Sequence, residues 1–119
     1  MMQMPEPDAS VLSRREAIVA ALRDAVPGAV IDDPAETRVY ECDALSAYRC
    51  APLAVVLPRT TDEVSRLMSL CHQHGVPVVP RGAGTSLAGG SMPTADAVVI
   101  GLARMTEVLE IAPGDRLIR

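Results

Sequence analysis

The chain has 119 residues, a formal net charge of −4 and 49 % hydrophobic residues, a composition that folds as one domain rather than staying disordered. All 11 basic residues are arginine, and the absence of lysine excludes Schiff-base chemistry, a lysine acid/base and a Walker A phosphate loop. No Phe and no Trp, with an acidic balance, speak against nucleic acid as a partner.

Pro5 and Pro7 among acidic residues predict a flexible N-terminal tail, taken to residue 12. The start carries no charged region followed by an apolar run, so no signal peptide is expected. Ser13-Arg14-Arg15-Glu16 has the spacing of a capping box, and Ile18, Ala21, Leu22 and Ala25 then share one helical face. Pro27-Gly28 ends that helix, residues 29–31 suit a short strand, and Asp32-Asp33-Pro34 a turn. Residues 35–51 show no clean period.

The next stretch is sharper. Leu53-Ala54-Val55-Val56-Leu57 is a short apolar run closed by Pro58. Thr60-Thr61-Asp62-Glu63 is a second capping box, and Val64, Leu67, Met68 and Cys71 follow at helical spacing up to a Gly75 cap. Val76-Pro77-Val78-Val79 is another apolar run, so strand, helix and strand predict a βαβ unit with parallel strands. Residues 97–102 and 108–111 read as strands, Pro113-Gly114-Asp115 as a turn, and residues 116–119 as the start of a further strand. The fold class is therefore α/β or α+β, a βαβ unit within a small mixed sheet that the later strands extend. No apolar run is long enough to span a membrane. Three cysteines without a C-x-x-C exclude a disulfide scaffold and fit a reducing, cytoplasmic setting.

Arg81-Gly82-Ala83-Gly84-Thr85-Ser86-Leu87-Ala88-Gly89-Gly90 follows the second apolar run, where a parallel strand should end. A loop with so little bulk lets backbone N–H groups approach an anion, and Thr85 and Ser86 add hydroxyls. The G-x-G-x-x-G dinucleotide fingerprint is not met, because Leu87 stands at its last position and no helix follows. The same residues also suit a plain flexible connector. Arg81 is the charge best placed for a ligand, with a structural salt bridge as its other reading.

Residues 53–58, Thr61-Asp62-Glu63-Val64 and the run Pro77 to Gly90 resemble the FAD-binding domain of the vanillyl-alcohol oxidase / p-cresol methylhydroxylase superfamily. The nearer likeness is to the flavin subunit of bacterial glycolate oxidase and to D-lactate dehydrogenases. Residues 41–49, with Glu41-Cys42-Asp43 and Tyr48-Arg49, and residues 103–111 extend it, so that it covers the chain from about residue 30 onward. The resemblance implies FAD as cofactor, its pyrophosphate held by Pro80, Arg81, Gly82, Ala83, Gly84, Thr85 and Ser86, with Gly89 and Gly90 lining the next turn. Relatives that attach the flavin covalently use a His in this loop; Thr85 stands there, so FAD is expected to be non-covalent. It also implies oxidation of a 2-hydroxy acid, glycolate or D-lactate, to the 2-oxo acid. An iron–sulfur partner subunit and a place at the inner membrane through partners are consistent with it. On this likeness residues 13–119 are the N-terminal portion of an FAD-binding domain cut short at its C-terminus, inactive alone, with a sheet edge left exposed. No catalytic residue carries over. A non-redox nucleotide- or phosphate-binding module, or an inactive truncated fragment, stays open beside it.

Other chemistry-bearing residues have plainer readings. Cys71, His72 and His74 close a helix, where residues 72 and 74 diverge too far to share a metal ion. Asp32, Asp33, Glu41 and Asp43 suit solvated loop charges or local caps better than an acid/base pair. Tyr40 and Tyr48 suit partly buried structural positions better than contact with a flavin. Ser86 is no nucleophile elbow, because G-x-S-x-G is absent.

Overall fold

The computed structural model describes residues 4–119. Two helices, α1 (Ala9–Leu12) and α2 (Arg15–Ala25), lead into strand β1 (Val30–Ile31). A one-turn helix α3 (Pro34–Thr37) and a 3-10 turn (Arg38–Tyr40) precede β2 (Ala54–Val56), α4 (Thr61–His74), β3 (Val78–Arg81) and β4 (Val98–Gly101). Strands β5 (Ile111–Ala112) and β6 (Leu117–Ile118) end the chain.

Four strands form one mixed sheet in the order β1-β2-β4-β3. β1 is antiparallel to β2, and β4 runs parallel to both β2 and β3. The expected βαβ unit thus has parallel strands, but they are not neighbours, because β4 lies between them. Composition explains the placement. Val98, Val99 and Ile100 are buried and suit a central strand, whereas Pro80 lacks an N–H and is tolerated at an edge.

Both faces of the sheet are covered. Ala54, Val56, Val98 and Ile100 point to the side where Ile18, Val19 and Leu22 of α2 and Leu67 and Cys71 of α4 pack. Val55 and Val99 alternate to the other side, against Leu57, Ile31, Val79 and Tyr40. A fully buried Leu such as Leu67 is worth about 1.5–3 kcal/mol of apolar transfer.

The α4 cap forms nearly as expected. Thr60 Oγ1 accepts from the Glu63 N–H (3.2 Å), but the Glu63 carboxylate reaches one residue further, to the Arg59 N–H (2.6 Å). Gly75 closes the helix in the left-handed conformation.

The N-terminus departs from expectation. Ser13 is helical (φ −64°, ψ −21°), which disqualifies it as an N-cap, and its hydroxyl donates to the Ser10 carbonyl instead. α2 instead starts after Arg14 with no side-chain cap, and it is the short α1 that is capped, by Asp8, whose carboxylate accepts from the Ser10 N–H at 2.7 Å. Val11 is buried, and the Asp8 N–H donates to Asp96 Oδ2 (2.9 Å), so two contacts join this stretch to the rest of the fold. Residues 1–3 of that expected tail lie outside the described residues.

The last strands also differ. β5 begins at Ile111 rather than at Val108, and β5 and β6 form a separate antiparallel pair instead of extending the sheet. Their apolar residues are largely exposed, Ile111 at 65 % and Ile118 at 72 %, so no buried face fixes them to the main sheet.

Candidate functional site

The parallel arrangement brings the carboxyl ends of β2, β3 and β4 to one edge of the sheet. Ligands bind preferentially at such edges in open α/β sheets. From the end of β3 the chain opens into residues 82–90, without helix or strand. The Arg81 carbonyl still accepts from the Leu102 N–H (2.9 Å), which fixes the base of the loop to the end of β4.

The loop keeps its donors free. Among the described residues the N–H groups of Gly82, Ala83, Gly84, Thr85 and Ser86 donate no hydrogen bond. Gly82, Ala83, Thr85 and Ser86 are exposed, and no acidic side chain occurs between residues 80 and 90. Consecutive unpaired N–H groups make a concavity suited to an anion. Gly84 has φ +72°, and a Cβ there would fall on the Arg81 guanidinium. These features fit a diphosphate: backbone donors, small side chains and no competing negative charge within the loop.

The Arg81 side chain is partly engaged within the fold. Its Nη1 donates to the Cys42 carbonyl (2.7 Å), and its guanidinium lies over the Tyr40 ring at 5.5 Å. The alternative structural reading applies, through a carbonyl and an aromatic face rather than a salt bridge. Further along, the Ala44 N–H donates to the Ser86 carbonyl (3.0 Å), the Ala88 N–H to Ser86 Oγ (3.3 Å) and the Met92 N–H to the Gly89 carbonyl (3.2 Å). Residues 42–44 therefore grip the loop at its base and near its tip. Periodicity could not reveal this strap, because it has none; its signal is Asp43 followed two residues later by an N–H that its carboxylate can cap.

Asp43 is a local cap, as expected, but not a solvated one. It is 5 % exposed, Oδ1 accepts from the Leu45 N–H (2.9 Å), and Oδ2 has no partner among the described residues. Tyr40 is packed against Val55, Leu57 and Val99, in the structural position expected of it. Tyr48 lines an apolar cleft of about 300 Å³ with Leu45, Ala88, Gly89 and Met92, beside the end of the loop. Pro80 occupies the edge strand, and Gly90 is exposed.

Among the described residues no group of His, Cys, Asp and Glu could hold a metal ion. Burial pushes the Cys71 thiol up to about 11, so it stays protonated. Burial, with the Asp96 carboxylate nearby, also raises the Cys50 thiol. Among the described residues no helix is long and apolar enough to cross a membrane.

A family model described as an FAD binding domain matches residues 52–119, more than half of the chain. The chain belongs to the FAD-binding domain family. The chain is 45 % identical over 106 residues to glycolate oxidase subunit GlcD of Escherichia coli (strain K12), covering 88 % of this chain and 21 % of that protein. It is 38 % identical over 91 residues to the mitochondrial D-2-hydroxyglutarate dehydrogenase of Bos taurus, covering 76 % and 17 %. This FAD-binding chain therefore spans about a fifth of the length of the curated relatives it matches. Among solved structures, 4-ethylphenol oxidase from Gulosibacter chungangensis superposes with TM-score 0.74 at 24 % identity over 91 % of this chain and 22 % of the other. p-Cresol methylhydroxylase superposes with TM-score 0.69 at 17 % identity over 90 % and 22 %. The fold is thus the p-cresol methylhydroxylase type that the sequence resembles.

Proposed function

We propose that residues 80–90 hold the pyrophosphate of FAD without a covalent bond. The observation that carries this reading is the row of unpaired N–H groups at Gly82, Ala83, Gly84, Thr85 and Ser86, on a loop tied down at both ends. Pro80 and Arg81 shape the base of the cradle, and Gly89 and Gly90 its far side. The Thr85 hydroxyl adds a donor, and Ser86 contributes its backbone N–H. Thr85 offers no imidazole for covalent attachment. The apolar cleft beside Gly89 suits a ring better than a phosphate.

In the whole protein we assign this domain to the oxidation of 2-hydroxy acids, with glycolate or D-lactate as substrate class. The relatives named a glycolate oxidase subunit and a hydroxyglutarate dehydrogenase support it. A bound flavin supplies the two-electron acceptor for that reaction. We assign the residues of this chain to positioning the cofactor, and place the groups that bind the hydroxy acid and take its proton in the rest of the whole protein, since the chain spans about a fifth of its relatives' length. The word subunit in the relative's name supports a partner subunit. We propose that this partner accepts the electrons through an iron–sulfur cluster, in the cytoplasm or against the inner membrane.

Titration of the protein, as expressed from its own gene, with FAD and separately with ATP tests the reading. Saturable FAD binding, reversed on denaturation without flavin left on the polypeptide, is the expected result. ATP binding without FAD binding, or flavin retained after denaturation, overturns it. Turnover of glycolate by residues 1–119 alone overturns the division of labour.

A further inference from the structure

Asp43 presents an unresolved acceptor. Its side chain is 5 % exposed, and Oδ1 is used by the Leu45 N–H at 2.9 Å. That bond alone makes the turn, and an Asn would make it without burying a charge. The second oxygen, Oδ2, is buried with no partner among the described residues. A buried carboxylate oxygen without a donor bears its full desolvation penalty, so it needs a reason beyond the turn.

Ser86 presents the matching donor. Its Oγ accepts from the Ala88 N–H at 3.3 Å, which leaves the hydroxyl proton without an acceptor among the described residues. The two unmet groups flank a single backbone bond, from the Ala44 N–H to the Ser86 carbonyl (3.0 Å). Arg81, the other donor tied to the strap, is held by the Cys42 carbonyl and the Tyr40 ring and makes no ion pair with Asp43. The exposed Ser86 hydroxyl is free to turn among its staggered rotamers, on a residue that the Ala44–Ser86 bond holds beside the strap.

We propose that Asp43 is a positioning residue that acts through Ser86: when the loop closes on its ligand, the Ser86 hydroxyl donates to Asp43 Oδ2. The latch fixes the backbone at residue 86 and with it the N–H groups of residues 82–86. It rests on the reading of the loop as the FAD pyrophosphate site. Part of the binding energy is then the satisfaction of a carboxylate left unpaired in the open loop.

A double-mutant cycle tests the latch. FAD affinity and the unfolding midpoint without FAD are measured for wild type, Asp43→Asn, Ser86→Ala and the double variant, in the protein as expressed from its own gene. Each single variant is expected to bind FAD about tenfold more weakly, and the double variant no more weakly than either. Their midpoints without FAD are expected not to fall. Unchanged affinity in Asp43→Asn, or losses that multiply in the double variant, overturns the latch. So does an affinity loss matched by a lower midpoint without FAD, which assigns Asp43 a merely structural role. Wild type that binds no FAD overturns the loop reading as well, whereas wild-type binding with unaltered variants overturns the latch alone.

Discussion

Strand β4 and the loop before it differ in the fate of their peptide groups. Val98–Gly101 is buried along its whole length and paired on both sides, with β2 and with β3. Residues 82–86 are mostly exposed, and their N–H groups pair with nothing described. Both segments lack charged side chains, yet one satisfies its donors within the fold and the other holds them ready. An unpaired buried N–H would be costly, so free donors are tolerated only where water or a ligand reaches them. The sheet makes the edge rigid, and the edge lets the loop stay unsatisfied without collapsing.

The same substitution in each region separates the two roles. A Cβ on Gly101 would stand 2.7 Å from Leu57 Cδ2, inside the packed face of the sheet. Gly101→Ala is expected to cost about 1–3 kcal/mol of unfolding free energy through overpacking, with FAD affinity of the folded protein unchanged. Gly84→Ala forces a side chain into φ +72° and pushes the Arg81 guanidinium off its seat. About 1–2 kcal/mol of stability is expected to go, together with at least tenfold in FAD affinity. Denaturant titration and FAD titration on both variants check this. Gly84→Ala with wild-type FAD affinity breaks the comparison.

A second contrast lies at the N-terminus, where charge rather than packing joins distant segments. Burial pushes the Asp96 carboxyl up, but hydrogen bonds, the Asp8 N–H first among them, outweigh it and hold the group below its ordinary value. A carboxyl lowered in the folded state stabilises fully above its unfolded value, near about 3.9, and loses that contribution as pH falls through the folded value. Asp96→Asn is therefore expected to lower the thermal midpoint by a constant amount from pH 7 to about pH 5. The gap should close below about pH 4. An equal gap at pH 3 contradicts an ionic role for Asp96.

The sequence disclosed most of this frame where one physical signal dominated. Leu53 to Leu57, the Thr60 cap and Gly75 each combine period, cap and breaker, and the elements stand where these place them. Ser13 misled because its capping-box spacing is local, while Asp8 gains a second bond from its N–H to Asp96, 88 residues away. Sheet order was not legible, since β4 follows β3 in the chain but lies between β2 and β3 in space. The glycine loop was readable from its lack of bulk. Its grip by Cys42 and Ala44 was not, because both bonds from that strap to the loop use the strap's backbone atoms, which carry no residue signature.

The smallest expected effect concerns the turn after β1. Arg23 Nη2 lies 2.6 Å from Asp32 Oδ1, with Arg23 56 % exposed, and Arg15 Nη2 donates to the carbonyl of the same Asp32 at 2.9 Å. Two arginines of α2 thus hold one turn, one through a solvent-screened carboxylate and one through a fixed dipole. An exposed ion pair contributes about 0.2–1 kcal/mol, and salt at about 1 M shortens the Debye length to about 3 Å. Arg23→Ala should therefore lose about 0.5 kcal/mol or less at low salt and almost nothing at 1 M salt. Arg15→Ala should keep its smaller share at both, because a hydrogen bond to a backbone carbonyl depends little on ionic strength. Unfolding curves at two salt concentrations check the pair. An Arg23→Ala loss that persists at high salt means that the side chain acts through the packing of its aliphatic stem on α2 rather than through its charge.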